Sequence, residues 1–144
     1  DVQRSIRAYE VKYHTKKSLY DWFKNTKSKF LEDDFLKIYI DYPRQDLIQR
    51  IAKRTDQMIK IGAIKEVKNF LKIKIKRENS SNKVIGISEI REFLDEKLNL
   101  DQVKEKITIK TRQYAKRQST WARGQMMNWK KLEPQDLKKF LKNI

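Results

Sequence analysis

Arg112, Lys116, Ser119 and Arg123 recur at a spacing that brings them to one side of a helix, and together they could hold phosphate oxygens. At about 100° per residue they fall within about 60° of one another, while Ile107, Tyr114 and Trp121 fall nearly opposite, so one face can dock while the other grips an anion. A charge stripe of this kind is most often a solvated face. No Asp or Glu occurs between Ile107 and Gln125, however, so none of these cations has an acid one helical turn away to neutralise it. The stripe is open to an external anion.

The composition points the same way. The 35 Lys and Arg against 19 Asp and Glu leave a formal charge of +16 on 144 residues, a field that attracts polyanions, of which a nucleic acid backbone is the commonest. Part of the excess reflects the Lys-, Ile- and Asn-rich usage of an AT-rich coding sequence. An anionic membrane surface is the competing partner, but there is no apolar run long enough to span, no basic helix with a continuous aromatic and leucine face and no signal peptide.

Cysteine is absent and His14 is the single histidine, which excludes a zinc finger, disulfide support and most thiol or metal chemistry. That usage fits a reducing, cytoplasmic setting. His14 lies beside Thr15, Lys16 and Lys17 with no Ser or Asp arrangement to orient it, so no triad can be argued.

The elements that must position the basic stripe are mostly helices. Val2 to Tyr13 has the period of a short amphipathic helix, and Ser18 caps a second through Phe23. Phe35 to Tyr42 is aromatic and β-branched and stops at Pro43, which predicts a strand with Leu36, Ile38 and Ile40 on one face. Asn128 to Leu132 is the other strand candidate, so any sheet is small or most of it lies outside this chain. A long helical pattern from residue 46 to residue 71 carries Leu47, Ile48, Ile51, Thr55 and Met58, with a break at Gly62. The stretch Lys72 to Lys83 reads as a mobile connection. Residues 88 to 124 form two further helices, the first starting at Ser88 with Ile90, Phe93 and Leu94, the second capped by Asn99 or Asp101 and ending at Gly124. Pro134 opens a last helix, Gln135 to Lys142, and Met126 and Met127 read as packing near the final strand. The expectation is a mostly α fold with a small parallel β contribution.

Several of these segments, in order, resemble the bacterial tRNA dimethylallyltransferases, also called tRNA isopentenylpyrophosphate transferases. The resemblance rests on Gln3 to Val11, on Arg54 to Met58 followed by Gly62 and Glu66-Val67, on Lys83 to Gly86, and most specifically on Thr111 to Gly124. It implies an enzyme that moves a dimethylallyl group from dimethylallyl diphosphate to N6 of the adenosine 3′-adjacent to the anticodon. It also implies an α/β P-loop, nucleotide-kinase-like fold, a bound Mg2+ ion and an Asp acting as base. Only Gly62, Gly86 and Gly124 are present, and no two can bound the family's phosphate-binding loop. The chain therefore resembles the C-terminal part of such an enzyme, with the P-loop half and most of the inserted helical domain absent, and no transferase activity is expected from it alone.

Carried over position by position, the family's tRNA-contacting stretches fall on Gln3, Arg4, Ser5, Ile6 and Arg7; on Lys83, Val84, Ile85, Gly86, Ile87 and Ser88; and on Lys116, Arg117, Gln118, Ser119, Thr120, Trp121, Ala122 and Arg123. Arg4, Arg7, Lys116, Arg117 and Arg123 would meet phosphates or base edges of a tRNA anticodon stem-loop, with Gln3 and Gln118 as neutral donors and acceptors. Arg54 resembles the arginine that faces the substrate diphosphate; spacing alone equally places it, with Arg50, on the wet face of its helix. Trp121 is either a base-stacking platform or, from its alignment with Tyr114 and Ile107, a core anchor. Many relatives follow the glycine equivalent to Gly86 with Tyr and then Lys or Arg, where this chain has Ile87-Ser88-Glu89, so an aromatic and a positive contact are missing. The absence of cysteine separates the chain from the eukaryotic form with its added zinc finger. The implied protein is a monomer without a membrane anchor. The competing expectation is a non-enzymatic basic helical module that binds RNA or DNA.

Overall fold

The computed structural model describes residues 1–76 and 78–143, so Arg77, in the expected connection, and Ile144, beyond the expected last helix, lie outside the described residues. The chain divides into two compact units, Asp1–Leu36 and Lys37–Ile144.

The first unit holds α1 (Val2–Thr15) and α2 (Leu19–Asn25). The Asp1 carboxylate starts α1 by accepting the N–H groups of Gln3 at 3.1 Å and Arg4 at 3.4 Å. Lys16 stops it in the left-handed conformation, at φ 59°. Ser18 and Asp21 then form a reciprocal capping box, in which each side chain accepts the other's backbone N–H at 3.1 Å. The two hydrogen bonds from Ser18 hold the Asp21 carboxyl below the usual carboxylate range. The Trp22 indole N–H donates to the Thr15 hydroxyl at 3.1 Å and closes the corner between the helices. No residue of either helix is buried.

The second unit contains β1 (Ile38–Ile40), α3 (Arg44–Lys60), α4 (Ala63–Lys72), α5 (Ile87–Leu94), α6 (Leu100–Gln125), β2 (Lys130–Leu132) and α7 (Leu137–Leu141). Its core is Ala63, Val67, Ile90, Val103 and Ile107, flanked by Met58, Ile85, Ile87 and Phe93. Each large side chain buried here stabilises the fold by about 1.5–3 kcal/mol. Gly62 separates α3 from α4 at φ 115°, a conformation that a side chain resists. Asn99 caps α6, its side-chain oxygen accepting the Gln102 backbone N–H at 2.9 Å while the Gln102 side-chain oxygen Oε1 accepts the Asn99 backbone N–H at 2.9 Å.

The expected strand pair forms, and it is parallel, with Ile38, Tyr39 and Ile40 opposite Lys130, Lys131 and Leu132. Both strands are shorter than the sequence suggests. The ladder reaches only as far as the partner does, ending with the Asp41 N–H on the Leu132 carbonyl at 2.9 Å. Phe35 and Leu36 fall in the first unit and are exposed. The remaining differences lie at helix ends. α3 starts at Arg44, α5 at Ile87, α7 covers only Leu137–Leu141, and α6 runs through Gly124 to Gln125. Met126 is half-buried, but Met127 is exposed, so the packing role expected of it does not hold.

Candidate nucleic-acid interface

The residues that could grip an anion are set by how α6 lies against α3. Between them the buried Thr55 hydroxyl donates to the Ile51 carbonyl at 3.0 Å and accepts from the Thr108 hydroxyl at 3.3 Å. Beyond that point the inward stripe is made of small residues, with Thr111, Ala115 and Ser119 half-buried and Ala122 buried. The docking face is therefore turned by about 90° from the one that the aromatic spacing suggests. Tyr114 is 50% exposed and Trp121 60% exposed, so the expectation of Trp121 as a core anchor is overturned. The physical reason is that a helix close to a strand end needs Ala and Thr at the contact; the large rings are left at its margin.

This rotation puts cations on both sides of the helix. On one side Arg112, Lys116, Ser119 and Arg123 line a cleft of about 730 Å³, whose other wall is the β1–α3 junction, Tyr39 to Arg44, with Leu47, Ile48 and Ile51, and Lys131 of β2. On the other side Arg117, Gln118, Trp121 and Met126 line an adjoining cleft of about 560 Å³ against Tyr39, Ile40 and Tyr42. Asp41 lines both. Among the described residues no acid lies within salt-bridge distance of Arg112, Lys116, Arg117 or Arg123. The Arg117 guanidinium sits 5.7 Å from the Tyr114 ring centre, and the Arg50 guanidinium 5.1 Å from that of Tyr42, contacts that orient these rings and cations together. Unpaired cations beside exposed aromatic rings are the equipment of a surface that holds a single-stranded nucleic acid.

The Lys83 to Ser88 segment is built differently. Lys83 and Val84 are exposed, but Ile85 and Ile87 pack on the core and Gly86 is buried. Gly86 holds φ 107°, and its N–H donates to the Glu89 carboxylate at 2.9 Å, which fixes the start of α5. The Ser88 hydroxyl donates to the other Glu89 oxygen at 3.0 Å, and the Lys110 ammonium pairs with the same oxygen. Glu89 is 1% exposed. Burial raises its carboxyl, but the Lys110 ammonium and the bonds from Gly86 and Ser88 outweigh that effect and hold it below the usual range. This chain thus spends Ile87 on its core and Ser88 on a buried acid.

Gln3, Arg4, Ser5, Ile6 and Arg7 are exposed along α1, with Arg4 3.5 Å from Asp1 and Arg7 3.5 Å from Glu10. Thr120 donates to the Lys116 carbonyl at 3.0 Å and turns its polar atom to the helix. Arg54 is exposed on α3 and lines neither cleft. Sequence reasoning missed Tyr39, Asp41, Tyr42, Arg44 and Lys131 as lining residues. The signal for them was the strand-to-helix junction at Pro43, because ligands of α/β folds collect beyond the carboxyl ends of strands. Among the described residues no group of three or more His, Asp or Glu is placed to hold a metal ion, and no helix is long and apolar enough to cross a membrane.

The family described as IPP transferase matches residues 1–125. A tRNA dimethylallyltransferase of Pelagibacter ubique is 53% identical over 144 residues, 100% of this chain and 46% of that protein. One from Rickettsia massiliae is 35% identical, again over 100% of this chain and 40% of its own length. The chain thus spans less than half of these curated relatives. Among solved structures, the tRNA delta(2)-isopentenylpyrophosphate transferase of Staphylococcus epidermidis is similar over 91% of this chain and 42% of its own, with a TM-score of 0.64 at 32% identity. The tRNA isopentenylpyrophosphate transferase of Bacillus halodurans gives the same TM-score and identity over 77% of this chain and 35% of its own. With a family match over most of its length and a structural likeness at that identity, the chain belongs to the IPP transferase family.

Proposed function

We propose that this chain is the tRNA-binding part of a bacterial tRNA dimethylallyltransferase. The observation that carries the reading is the second half of α6, where unpaired Arg112, Lys116, Arg117 and Arg123 border two open clefts beside exposed Tyr114 and Trp121. The relatives are named for transfer of a dimethylallyl group to tRNA; in our reading, from the family resemblance, the donor is dimethylallyl diphosphate and the acceptor is N6 of the adenosine 3′-adjacent to the anticodon, the nitrogen attacking and diphosphate leaving. This chain's part is to hold RNA. Arg123 and Lys116 take backbone phosphates, Gln118 offers a donor and an acceptor to a base edge, and Trp121 offers a ring face to an unstacked base, which helps keep a target nucleotide out of its stack. Gln3 to Arg7 and Lys83 to Ser88 add contacts, the latter through Lys83 and backbone groups. Arg54 meets the diphosphate, for which its planar fork is suited.

The chain contributes neither a phosphate-binding loop nor a catalytic Asp, and turnover is not expected of it alone. Among the described residues there is no group of three or more His, Asp or Glu placed for a metal ion, and the Mg2+ that the family implies would take its ligands from the P-loop half. The protein acts as a cytoplasmic monomer.

The test is fluorescence anisotropy at near-physiological salt. The probes are an anticodon stem-loop with three consecutive adenosines across the modification site and a scrambled hairpin of equal charge. Preference for the stem-loop is expected; equal affinity would reduce the basic face to a charge effect. Arg54→Ala is expected to lower affinity for dimethylallyl diphosphate in the active enzyme and to spare tRNA, and an unchanged affinity would return it to the solvated face of α3.

A further inference from the structure

The larger cleft contains cations that no tRNA-contacting stretch includes. Arg112, Lys116 and Arg123 line its α6 wall, while Arg44 and Lys131 come from the strand side, at the start of α3 and on β2. Five cations thus surround one cleft that a single acid, Asp41, shares. Its floor is apolar, with Leu47, Ile48, Ile51 and Ile109, and Tyr39 and Tyr42 stand at the junction.

Size and charge together select the occupant. A volume of about 730 Å³ is that of a site for one or two nucleotide-sized groups and is closed to a duplex, which can only lie across a surface. Arg112 and Arg123 are separated along the helix axis by about 16 Å, a distance over which successive phosphates of a strand can be met and one diphosphate cannot reach. Apolar floor and tyrosine rings beside the cations suit a sugar and base rather than a bare anion.

We infer that this cleft holds an unpaired RNA segment, with Arg44 and Lys131 gripping its phosphates from the side opposite Arg112, Lys116 and Arg123. The inference rests on the reading of the chain as a tRNA-binding protein, and adds to it a second wall and a single-stranded ligand. Arg44 and Lys131 are then RNA-binding residues, and the anticodon loop, being unpaired, is the part of the stem-loop that enters.

The experiment compares wild type with Arg44→Ala, Lys131→Ala and Lys138→Ala. Lys138, exposed on α7 and outside both clefts, removes the same charge elsewhere. Anisotropy titrations use the anticodon stem-loop and a fully paired duplex of the same length, over a series of salt concentrations. Expected are a loss of about fivefold on the stem-loop for each cleft variant and a salt slope lower by about 0.7, with little change on the duplex and little for Lys138→Ala. Circular dichroism confirms that each variant is folded; should Arg44→Ala unfold, Lys131→Ala on its short strand carries the test. If wild type binds the stem-loop with preference and the cleft variants lose no more than Lys138→Ala, the inference fails while the tRNA reading stands. If wild type shows no preference, both fail. Competition by inorganic diphosphate that displaces the stem-loop from wild type but not from the cleft variants would assign the cleft to diphosphate and overturn the RNA assignment.

Discussion

In the first half of α6, Lys104, Lys106 and Lys110 each meet an acid from a neighbouring helix: Asp56 at 3.0 Å, Glu92 at 2.9 Å and the buried Glu89. In the second half, Arg112, Lys116, Arg117 and Arg123 meet none among the described residues. The same helix, with the same sign of charge along both halves, is glued in one and open in the other. What separates them is where the acids are: α5 and α3 supply them over the first half, whereas the second half passes the strand ends, where Tyr39, Tyr42 and Arg44 are presented instead. A net charge of +16 therefore says less about a ligand than the pairing of individual cations does.

The largest effect expected from testing this contrast is on the glued half. Ile107→Ala removes a side chain that is 2% exposed and should lower stability by about 2–5 kcal/mol, read as a shift of the urea midpoint. A shift near zero would mean that α6 is not anchored there.

Next comes Glu89→Gln, which removes the charge that Gly86, Ser88 and Lys110 share, for a cost of about 2 kcal/mol at neutral pH. Because the folded carboxyl is held below its unfolded value, the stability it contributes is present above the unfolded value and is lost as pH falls through the folded one. Wild type and variant should therefore converge in urea titrations on acidification, and a constant gap down to about pH 3 would show that the ion pair is not the source.

On the open half, Trp121→Ala should do the opposite of Ile107→Ala: little change in midpoint, with a loss of RNA affinity equivalent to about 1–2 kcal/mol, seen by anisotropy. Destabilisation without an affinity loss would restore the ring to the core.

The smallest change is expected for Lys106→Ala. Its pair with Glu92 is half exposed on both sides, so stability should move by no more than about 0.5 kcal/mol. RNA affinity should stay within about twofold if paired cations are spectators.

Much of the fold was legible because it is written in local chemistry: the Asn99 cap, the Ser18 box, the Gly62 break and the strand that stops before Pro43. Both strand segments were also legible, though a sheet lying mostly outside the chain was as open a reading as the pairing that forms. The exposure of Trp121 was not, since helical spacing identifies an apolar row but not which row a neighbour touches. The deciding residues, Thr111, Ala115 and Ala122, carry little hydrophobic signal. Glu89 was given no role, although an acid three residues after a glycine at a helix start is a capping pattern. The basic face was legible from the absence of acids along its own helix. Its partner wall was not, because Arg44 and Lys131 come from distant parts of the chain.

The strand pair carries one more consequence. Its pairing of Ile38 with Lys130 closes a chain loop of about ninety residues for three rungs of ladder, a contact whose closure entropy, about 4 kcal/mol, outweighs most of what so short a ladder returns. Such a clasp forms after the helices have brought its ends together. Tyr39 and Lys131 sit on its two strands and line the cationic cleft, so an occupant touching both would hold the clasp shut. The slowing of amide exchange at Asp41 and Lys130, whose N–H groups donate across the pair, on adding RNA would measure this directly, as a fold that finishes itself around its ligand.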